Sequence, residues 1–551
     1  MRAARRLDRN RRETVGHSLV VGQRLNWNDE TIVLNSILKI GSNCWDISDA
    51  KETGLLIDGR DYYLAFYRAA SKAEHYILIS GWQFDSDVSL VRGQDVPEGN
   101  DVGLLSFLNG LCEKNNDLRL YILGWNFNAI YGIDREWFQK WYFNWTTNDR
   151  LKFRFDACHC LGASHHQKFA VVDGAVAFLG GLDLCSSRWD DRDHCADNCN
   201  RINTDKNTYG PFHDIQSYHT GSVAEKLAEL FRERWRIVCD EELNLPRPSG
   251  KIQIDFAGQL PIASHRVAIS RTQAKTDDGK QESIQEIRQL FIDAIESAES
   301  LIYIENQYFS SNAIFGALSK RMKAKERSRL RIVLILTKEA NAVVEKVSIG
   351  IMQSKIISRL KDLAVETGHE LGVYYTGCLA HDGQEVPTYI HSKLFLVDDR
   401  FLSVGSANMN NRSMGLDTEI NVTWEASPEQ SAVIRSIRNI RIDLLAEHIC
   451  SKDPNEMDKL RSVKGLVGYL EGRIDSGSCR LRRHPSLDAR PADYEILSSI
   501  LPDGWPFDTA ETNPGQILYE KISDESDGFF TKGITSLKNM FQNVGKVLES
   551  R

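Results

Sequence analysis

Nowhere do the 551 residues contain a run of roughly 18 or more uninterrupted apolar side chains, so the sequence offers no candidate for a membrane-spanning helix. A secretory leader is not expected from the start of the sequence either. Arg2, Arg5, Arg6, Arg9, Arg11 and Arg12 resemble a basic leader start, but Ser18-Leu19-Val20-Val21-Gly22 falls short of the roughly 7–15 apolar residues that should follow. Cysteine is present without pattern. Eleven residues, an odd number, run from Cys44 to Cys479 with no recurring pair spacing, which points to free thiols in a reducing compartment. Positive charge is not in excess: 68 Lys+Arg face 76 Asp+Glu, for a net −8. The six arginines less Asp8 make the first twelve residues +5, which leaves the remainder at −13. A nucleic-acid-binding body is usually basic, so DNA and RNA are not expected as partners. The arginine-rich start reads as a solvated tail. At 42% hydrophobic and 26% charged, the composition is that of a globular protein with sizeable cores.

What the sequence does contain is a repeat. His166-Gln167-Lys168-Phe169-Ala170-Val171-Val172-Asp173 and His391-Ser392-Lys393-Leu394-Phe395-Leu396-Val397-Asp398 both fit H-x-K-x4-D, and their histidines lie 225 positions apart. Each motif runs on through six residues to a Gly, Gly180 or Gly405, followed by a small residue, Gly181 or Ser406. Phe84 and Phe309, also 225 apart, end aromatic-rich segments that follow the apolar runs Tyr76–Ile79 and Leu301–Ile304. Helical patterns precede both runs. Ile284, Ile287, Leu290, Phe291, Ala294 and Ile295 share one face, with Ser283 and Glu286 as a capping-box signature; Tyr63, Phe66, Tyr67 and Ala70 do the same earlier. Leu118–Leu123 and Leu330–Leu336 read as buried strands. Helices alternating with short apolar strands predict α/β layers. The expected organisation is a lead-in over 1–40, two homologous α/β halves over 41–250 and 251–450, and a distinct C-terminal extension over 451–551.

Strand alternation puts His166 beside Lys168, and His391 beside Lys393, on one face of each strand. That pairing suits a phosphate: the ammonium holds non-bridging oxygens and the imidazole attacks or donates a proton. Asp173 and Asp398 follow four apolar residues, too far along to reach the same phosphate, and read as orienting or structural carboxylates. One His/Lys pair supplies a nucleophile without an acid, whereas two pairs supply both.

The two motifs resemble the paired HKD motifs of the phospholipase D superfamily. Gly180-Gly181-Leu182-Asp183-Leu184-Cys185 to Arg188-Trp189-Asp190, Ile302–Phe309, and Gly405-Ser406-Ala407-Asn408-Met409-Asn410 to Asp417-Thr418-Glu419-Ile420 are similar to signatures of the eukaryotic type. Pro211-Phe212-His213-Asp214 resembles a further family block that usually has Trp at the position of Phe212. The resemblance implies two α/β/α sandwich halves packed face to face about a pseudo-twofold axis, with both motifs in one site. It implies His166 as nucleophile and His391 as general acid and base; the residues alone do not decide the order. With them come the motif partners Lys168, Asp173, Lys393 and Asp398. Glu419 is the candidate to orient His166, and Asp190 the candidate for the other histidine. Asn408, Ser406 and Asp183 are expected near the phosphate, with turn formation the competing role for Asn408 and Asp183. Glu305, Asn306 and Gln307 are expected either in the site or joining the halves. Neither metal nor cofactor is required. The implied activity is hydrolysis of a glycerophospholipid such as phosphatidylcholine to phosphatidic acid, with transphosphatidylation. The alternatives are a cardiolipin synthase-like phosphatidyltransferase, a phosphodiesterase or nuclease, and an inactive lipid-binding module. The expected setting is a monomer in the cytoplasm or peripherally on a membrane, with export by a signal-independent route open.

Three further features carry less. His194-Cys195-Ala196-Asp197-Asn198-Cys199 has no second pair at zinc-site spacing and reads as a polar loop. Trp137, Phe138, Trp141, Tyr142, Phe143 and Trp145 read as core, with an acyl-chain entrance as the alternative. Phe529, Phe530, Ile534, Leu537, Met540, Phe541, Val544, Val547 and Leu548 have helical spacing, with Lys532, Lys538 and Lys546 between them. That stretch is expected to dock on the protein's own core, an anionic membrane surface being the alternative.

Overall fold

The computed structural model describes residues 36–99, 101–126, 143–144, 146–160, 163–246, 256, 258–276, 282–339 and 343–487. The arginine-rich start, all of the aromatic cluster except Phe143, and the stretch 529–551 lie outside the described residues. Two large mixed sheets dominate. In the first, the strand order is Leu260–Pro261, Thr53–Ile57, Ile215–Thr220, Val176–Gly180, Phe169–Val172, Tyr76–Gly81, Arg119–Trp125, Leu151–Asp156. In the second, the strands Arg266–Gln273, Glu419–Glu425, Phe401–Gly405, Lys393–Val397, Leu301–Asn306, Arg331–Leu336 and Glu370–Leu379 follow one another in the same sense. Both motif strands are central, antiparallel to their two neighbours and buried throughout.

Burial explains the near-continuous apolar runs: successive side chains of these strands enter different cores. Leu78, Tyr121, Phe169, Val171 and Leu179 of the first sheet share one apolar cluster with Leu301, Tyr303, Val333, Leu394, Leu396 and Val404 of the second. The helices Ser222–Cys239 and Ser431–His448 join that shared core. On the far faces, Ile77, Ile79 and Val172 pack with Tyr63, Phe66 and Ala70 of the helix Asp58–Ala70. Ile302, Ile304 and Val397 pack with Ile287, Leu290, Phe291, Ala294 and Ile295 of the helix Glu286–Ser297. Each half is thus a sandwich, and the two are welded through one core.

Three expectations need correction. The boundary near residue 250 is crossed by an exchange: Asp46–Asp49 pairs with Arg266–Gln273 of the second sheet, while Leu260–Pro261 pairs with Thr53–Ile57 of the first. The region after 450 is not separate throughout, because Leu481–Arg483 adds to the strand Glu370–Leu379 and Leu460, Leu466 and Leu470 enter the shared core. The capping box at Ser283 does not form. Ile284–Gln285 pairs with Thr272 and Gln273 instead, and the Glu286 carboxylate is taken by Arg271 through its backbone N–H at 2.9 Å and its guanidinium at 2.8 Å. A bidentate arginine outcompetes a neutral cap.

Candidate active site

Each histidine is fixed by a strand pairing that crosses between the halves. The backbone N–H of His166 donates to the carbonyl of Thr418 at 2.9 Å, and that of His391 to the carbonyl of His213 at 2.8 Å. The residue after each carbonyl is a buried carboxylate, Glu419 or Asp214. His166 Nδ1 lies 2.9 Å from Glu419 Oε2. His391 Nδ1 lies 2.5 Å from Asp214 Oδ2. Every histidine of a motif is therefore oriented by a carboxylate from the opposite half, with its Nε2 left for chemistry.

The two carboxylates are register equivalents. Gly180 pairs with Gln216, and Gly405 with Asn421, so Asp214 and Glu419 both stand two residues before that partner. Close approach explains both glycines: a Cβ on Gly180 would sit 2.4 Å from the Ile215 carbonyl, and one on Gly405 2.3 Å from the Ile420 carbonyl. The small residue that follows differs between the halves. A Cβ at Gly181 would come within 2.2 Å of Asp214 Oδ1, whereas Ser406 turns its hydroxyl to Glu419 Oε2 at 2.5 Å. Ser413 donates to the other oxygen of Glu419 at 2.6 Å.

Asp190, the sequence candidate for His391, does not reach it. Asp190 instead faces His194 Nδ1 at 2.8 Å and Arg201 at 3.0 Å. Asp214 was legible only as part of a block. The first half carries twenty more residues between its pairing glycine and its carboxylate than the second, so the spacing of 225 breaks there. A better signal was Asp214-Ile215-Gln216 set against Glu419-Ile420-Asn421.

The lysines sit differently. Lys168 Nζ lies 3.3 Å from Asp183 Oδ2 and donates to the carbonyl of His166 at 3.2 Å. Lys393 Nζ donates to the amide oxygen of Gln307 at 3.1 Å and to the carbonyl of His391. Asn408, the positional equivalent of Asp183, donates to the same Gln307 oxygen at 3.4 Å and leaves its own Oδ1 without a hydrogen bond. Asp183 also accepts the backbone N–H of Trp82 at 2.7 Å. It neutralises a lysine and shapes a turn; a carboxylate there repels phosphate. Ser406 is committed to Glu419. Of that trio only Asn408 keeps a polar group free to meet a phosphate. Glu305 joins the halves, spanning His213 Nε2 at 2.9 Å and Ser392 at 3.2 Å.

Asp173 and Asp398 lie at the far ends of the motif strands, seven residues from their histidines, a span of roughly 20 Å in extended chain. That span keeps both carboxyl groups away from the imidazoles. Both occupy left-handed turns, with φ of 51° and 54°. Asp173 accepts the backbone N–H groups of Glu74, His75 and Tyr76 at 2.7–2.9 Å. Asp398 does the same for Glu299, Ser300 and Leu301 at 2.6–2.8 Å. Each closes the start of the strand that runs beside its motif.

Protonation is set by burial among like charges. Burial pushes both imidazoles well below their usual range, and the Lys168 and Lys393 ammoniums push them further. Burial raises the carboxyl groups, Asp214 to about 7 and Glu419 to about 8. It lowers Lys393 to about 7, a fall that Asp214 partly offsets. Burial thus pushes each imidazole and its carboxyl in opposite directions, so each pair titrates as a unit.

Comparison with known proteins gives the family. A family model described as Phospholipase D matches residues 69–347, and one described as Cardiolipin synthase, PLD-like domain, matches 291–440. Phospholipase D alpha 1 of Zea mays is 23% identical over 631 aligned residues, covering 90% of this chain and 74% of the relative. Phospholipase D1 of Saccharomyces cerevisiae is 23% identical over 436, covering 65% of this chain; the match spans only 26% of that protein's length. Among solved structures, a phosphatidylserine synthase of Haemophilus influenzae Rd KW20 superposes with a TM-score of 0.49 at 13% identity, over 90% of this chain and 96% of its own.

Proposed function

As the chain belongs to the phospholipase D family, we propose that it is a phospholipase D, hydrolysing glycerophospholipids such as phosphatidylcholine to phosphatidic acid through a phosphohistidine. The observation that carries this reading is the crossed pair of histidine–carboxylate contacts, His166 with Glu419 and His391 with Asp214. Two imidazoles with their Nδ1 atoms engaged both present Nε2 to the substrate.

His166 Nε2 attacks phosphorus as its Nδ1–H donates to Glu419. The bond from phosphorus to the headgroup oxygen breaks, and that oxygen takes the Nε2 proton of His391, whose cation Asp214 stabilises. Neutral His391 then draws a proton from water. The resulting hydroxide forms a new P–O bond, the P–N bond breaks, and phosphatidic acid leaves with His166 restored. An alcohol in place of water gives a phosphatidyl ester. Lys168, Lys393 and Asn408 hold the non-bridging oxygens as charge builds on them.

One chain supplies both imidazoles and both carboxylates, so a monomer is enough for the reaction. It meets its lipid at a membrane surface peripherally; among the described residues no helix is long and apolar enough to cross a membrane. Incubation with phosphatidylcholine vesicles and ethanol is the test. Phosphatidylethanol made by the intact protein and lost in His166→Ala and His391→Ala supports the reading. Product formed at the normal rate by either variant overturns it.

A further inference from the structure

Behind the site lies a second cluster that the proposed reaction does not use. Asp58, His194, His213 and Glu447 come from four separate segments and are all buried. One donor atom from each converges, all within 4.8 Å of one another. Four nitrogen–oxygen separations are short: His213 Nδ1 to Asp58 Oδ1 at 3.0 Å and to Glu447 Oε1 at 3.2 Å, His194 Nε2 to Glu447 Oε1 at 3.1 Å and to Asp58 Oδ2 at 3.3 Å. Tetrahedral bonds of about 2.0–2.1 Å place neighbouring donors roughly 3.3 Å apart.

Two of these buried atoms, Asp58 Oδ2 and His213 Nδ1, make no hydrogen bond. Each meets a facing charge across the cluster without hydrogen-bond geometry, and two buried polar atoms held in that way point to a missing ligand. The outer atoms, in contrast, are all engaged. His194 Nδ1 faces Asp190 at 2.8 Å, His213 Nε2 faces Glu305 at 2.9 Å, and Glu447 Oε2 accepts from Arg192 at 2.5 Å. A carboxylate behind each ligating imidazole fixes the tautomer whose lone pair points at a metal. Asp58 and His194 also hold left-handed backbones, φ 66° and 43°, which turn both side chains inward.

We propose that Asp58, His194, His213 and Glu447 bind one zinc ion as a closed structural site. Four protein donors leave no open position for a substrate or a reactive water. The ion ties three segments of the first half to the helix Ser431–His448 of the second. It also braces the acid arm of the proposed reaction. The Asp58 backbone N–H donates to the Asp214 carbonyl at 2.8 Å, and Asp58 Oδ1 accepts from the Asp214 N–H at 3.1 Å. Binding does not depend on what the enzyme hydrolyses.

Full-length protein from zinc-supplemented culture, dialysed and measured by inductively coupled plasma mass spectrometry, should carry about one zinc per chain. His194→Gln and Glu447→Gln should each fall below about a tenth of that. Should those variants fail to fold, the wild type decides alone. Stripping the metal should lower its Tm by roughly 5 °C or more, and zinc should restore it. Cobalt in its place should show the visible absorption of a four-coordinate ion. Wild type with less than about a tenth of an equivalent of zinc and a Tm indifferent to stripping and to added zinc overturns the proposal, as does stoichiometric calcium or magnesium instead.

Discussion

The two halves share seven strands in the same order and a carboxylate at the same register, yet they build unlike arms. In the second half Glu419 is locked by the hydroxyls of Ser406 and Ser413. In the first, Gly181 clears space for Asp214, whose backing is its neighbour's backbone N–H at 2.8 Å. Lys168 faces a carboxylate, Asp183; Lys393 faces a neutral amide, Gln307. Duplication gives two histidine–lysine pairs, and divergence around them gives each a different setting, as the proposed split into nucleophile and acid needs. The largest test of that division is removal of each imidazole. His166→Ala and His391→Ala should both lower kcat on phosphatidylcholine by about 10⁴-fold or more. On phosphatidyl-p-nitrophenol, whose headgroup leaves as a phenolate and needs no proton, His391→Ala should still release nitrophenolate in a single-turnover burst and His166→Ala should not. A burst in His166→Ala alone would reverse the two roles.

Removing the orienting carboxylates should cost less, about 10³-fold in kcat for Asp214→Asn and for Glu419→Gln, because the imidazole remains but loses its preferred tautomer. A loss in only one of the two would show that a single arm needs orientation. Glu419→Gln has a second signature. Burial raises the Glu419 carboxyl from 4.5 to about 8, so the folded state binds its proton more tightly than the unfolded chain does. That contribution to stability is complete below pH 4.5 and is lost as pH rises through 8. The variant cannot ionise there, so its stability relative to wild type should rise across that window, by ~2–4 kcal/mol at pH 9 in urea unfolding. A constant difference between pH 5 and 9 would refute the raised value.

Exchanging the lysine partners should act more gently. Asn408→Asp gives Lys393 a carboxylate like the one Lys168 already has and sets negative charge beside the anionic phosphate. A rise in KM of about tenfold is expected, with a smaller change in kcat. Asp183→Asn should leave KM unchanged or lower it. If both exchanges raise KM equally, the asymmetry between the lysines carries no function.

Much of this was legible because the duplication is a matter of strands. The equal spacing of 225 holds from Phe84 through Asn408, since each half keeps one connection length from its first central strand to the loop after its motif. It fails at Asp214, where the first half inserts the segment that carries Asp190, His194 and Arg201. Asp190 drew attention because it ends the signature Gly180 to Asp190 that follows the first motif, but closeness in sequence is not closeness across a twofold interface. The zinc cluster was illegible for the same reason. Its donors are spread from residue 58 to residue 447, and the nearby Cys195 and Cys199, which drew the eye to a metal, are exposed. The capping box failed because a distant arginine was the stronger partner for Glu286.

The smallest effect on chemistry belongs to the aspartates that end the motifs, and it separates motif membership from catalysis. Asp173 and Asp398 each accept three backbone N–H groups, hydrogen bonds to a charged acceptor that are individually worth roughly 1.5–3 kcal/mol. Asn keeps one acceptor oxygen and tolerates the left-handed turn, so Asp173→Asn and Asp398→Asn should each lower stability by about 2–3 kcal/mol in urea unfolding. Active-site titration should then show kcat per folded molecule within about twofold of wild type, because the site roughly 20 Å away is untouched. A tenfold fall in kcat with stability preserved would mean that these carboxylates act on the histidines through the strand, and the separation of a structural end from a chemical end in each half would have to be abandoned.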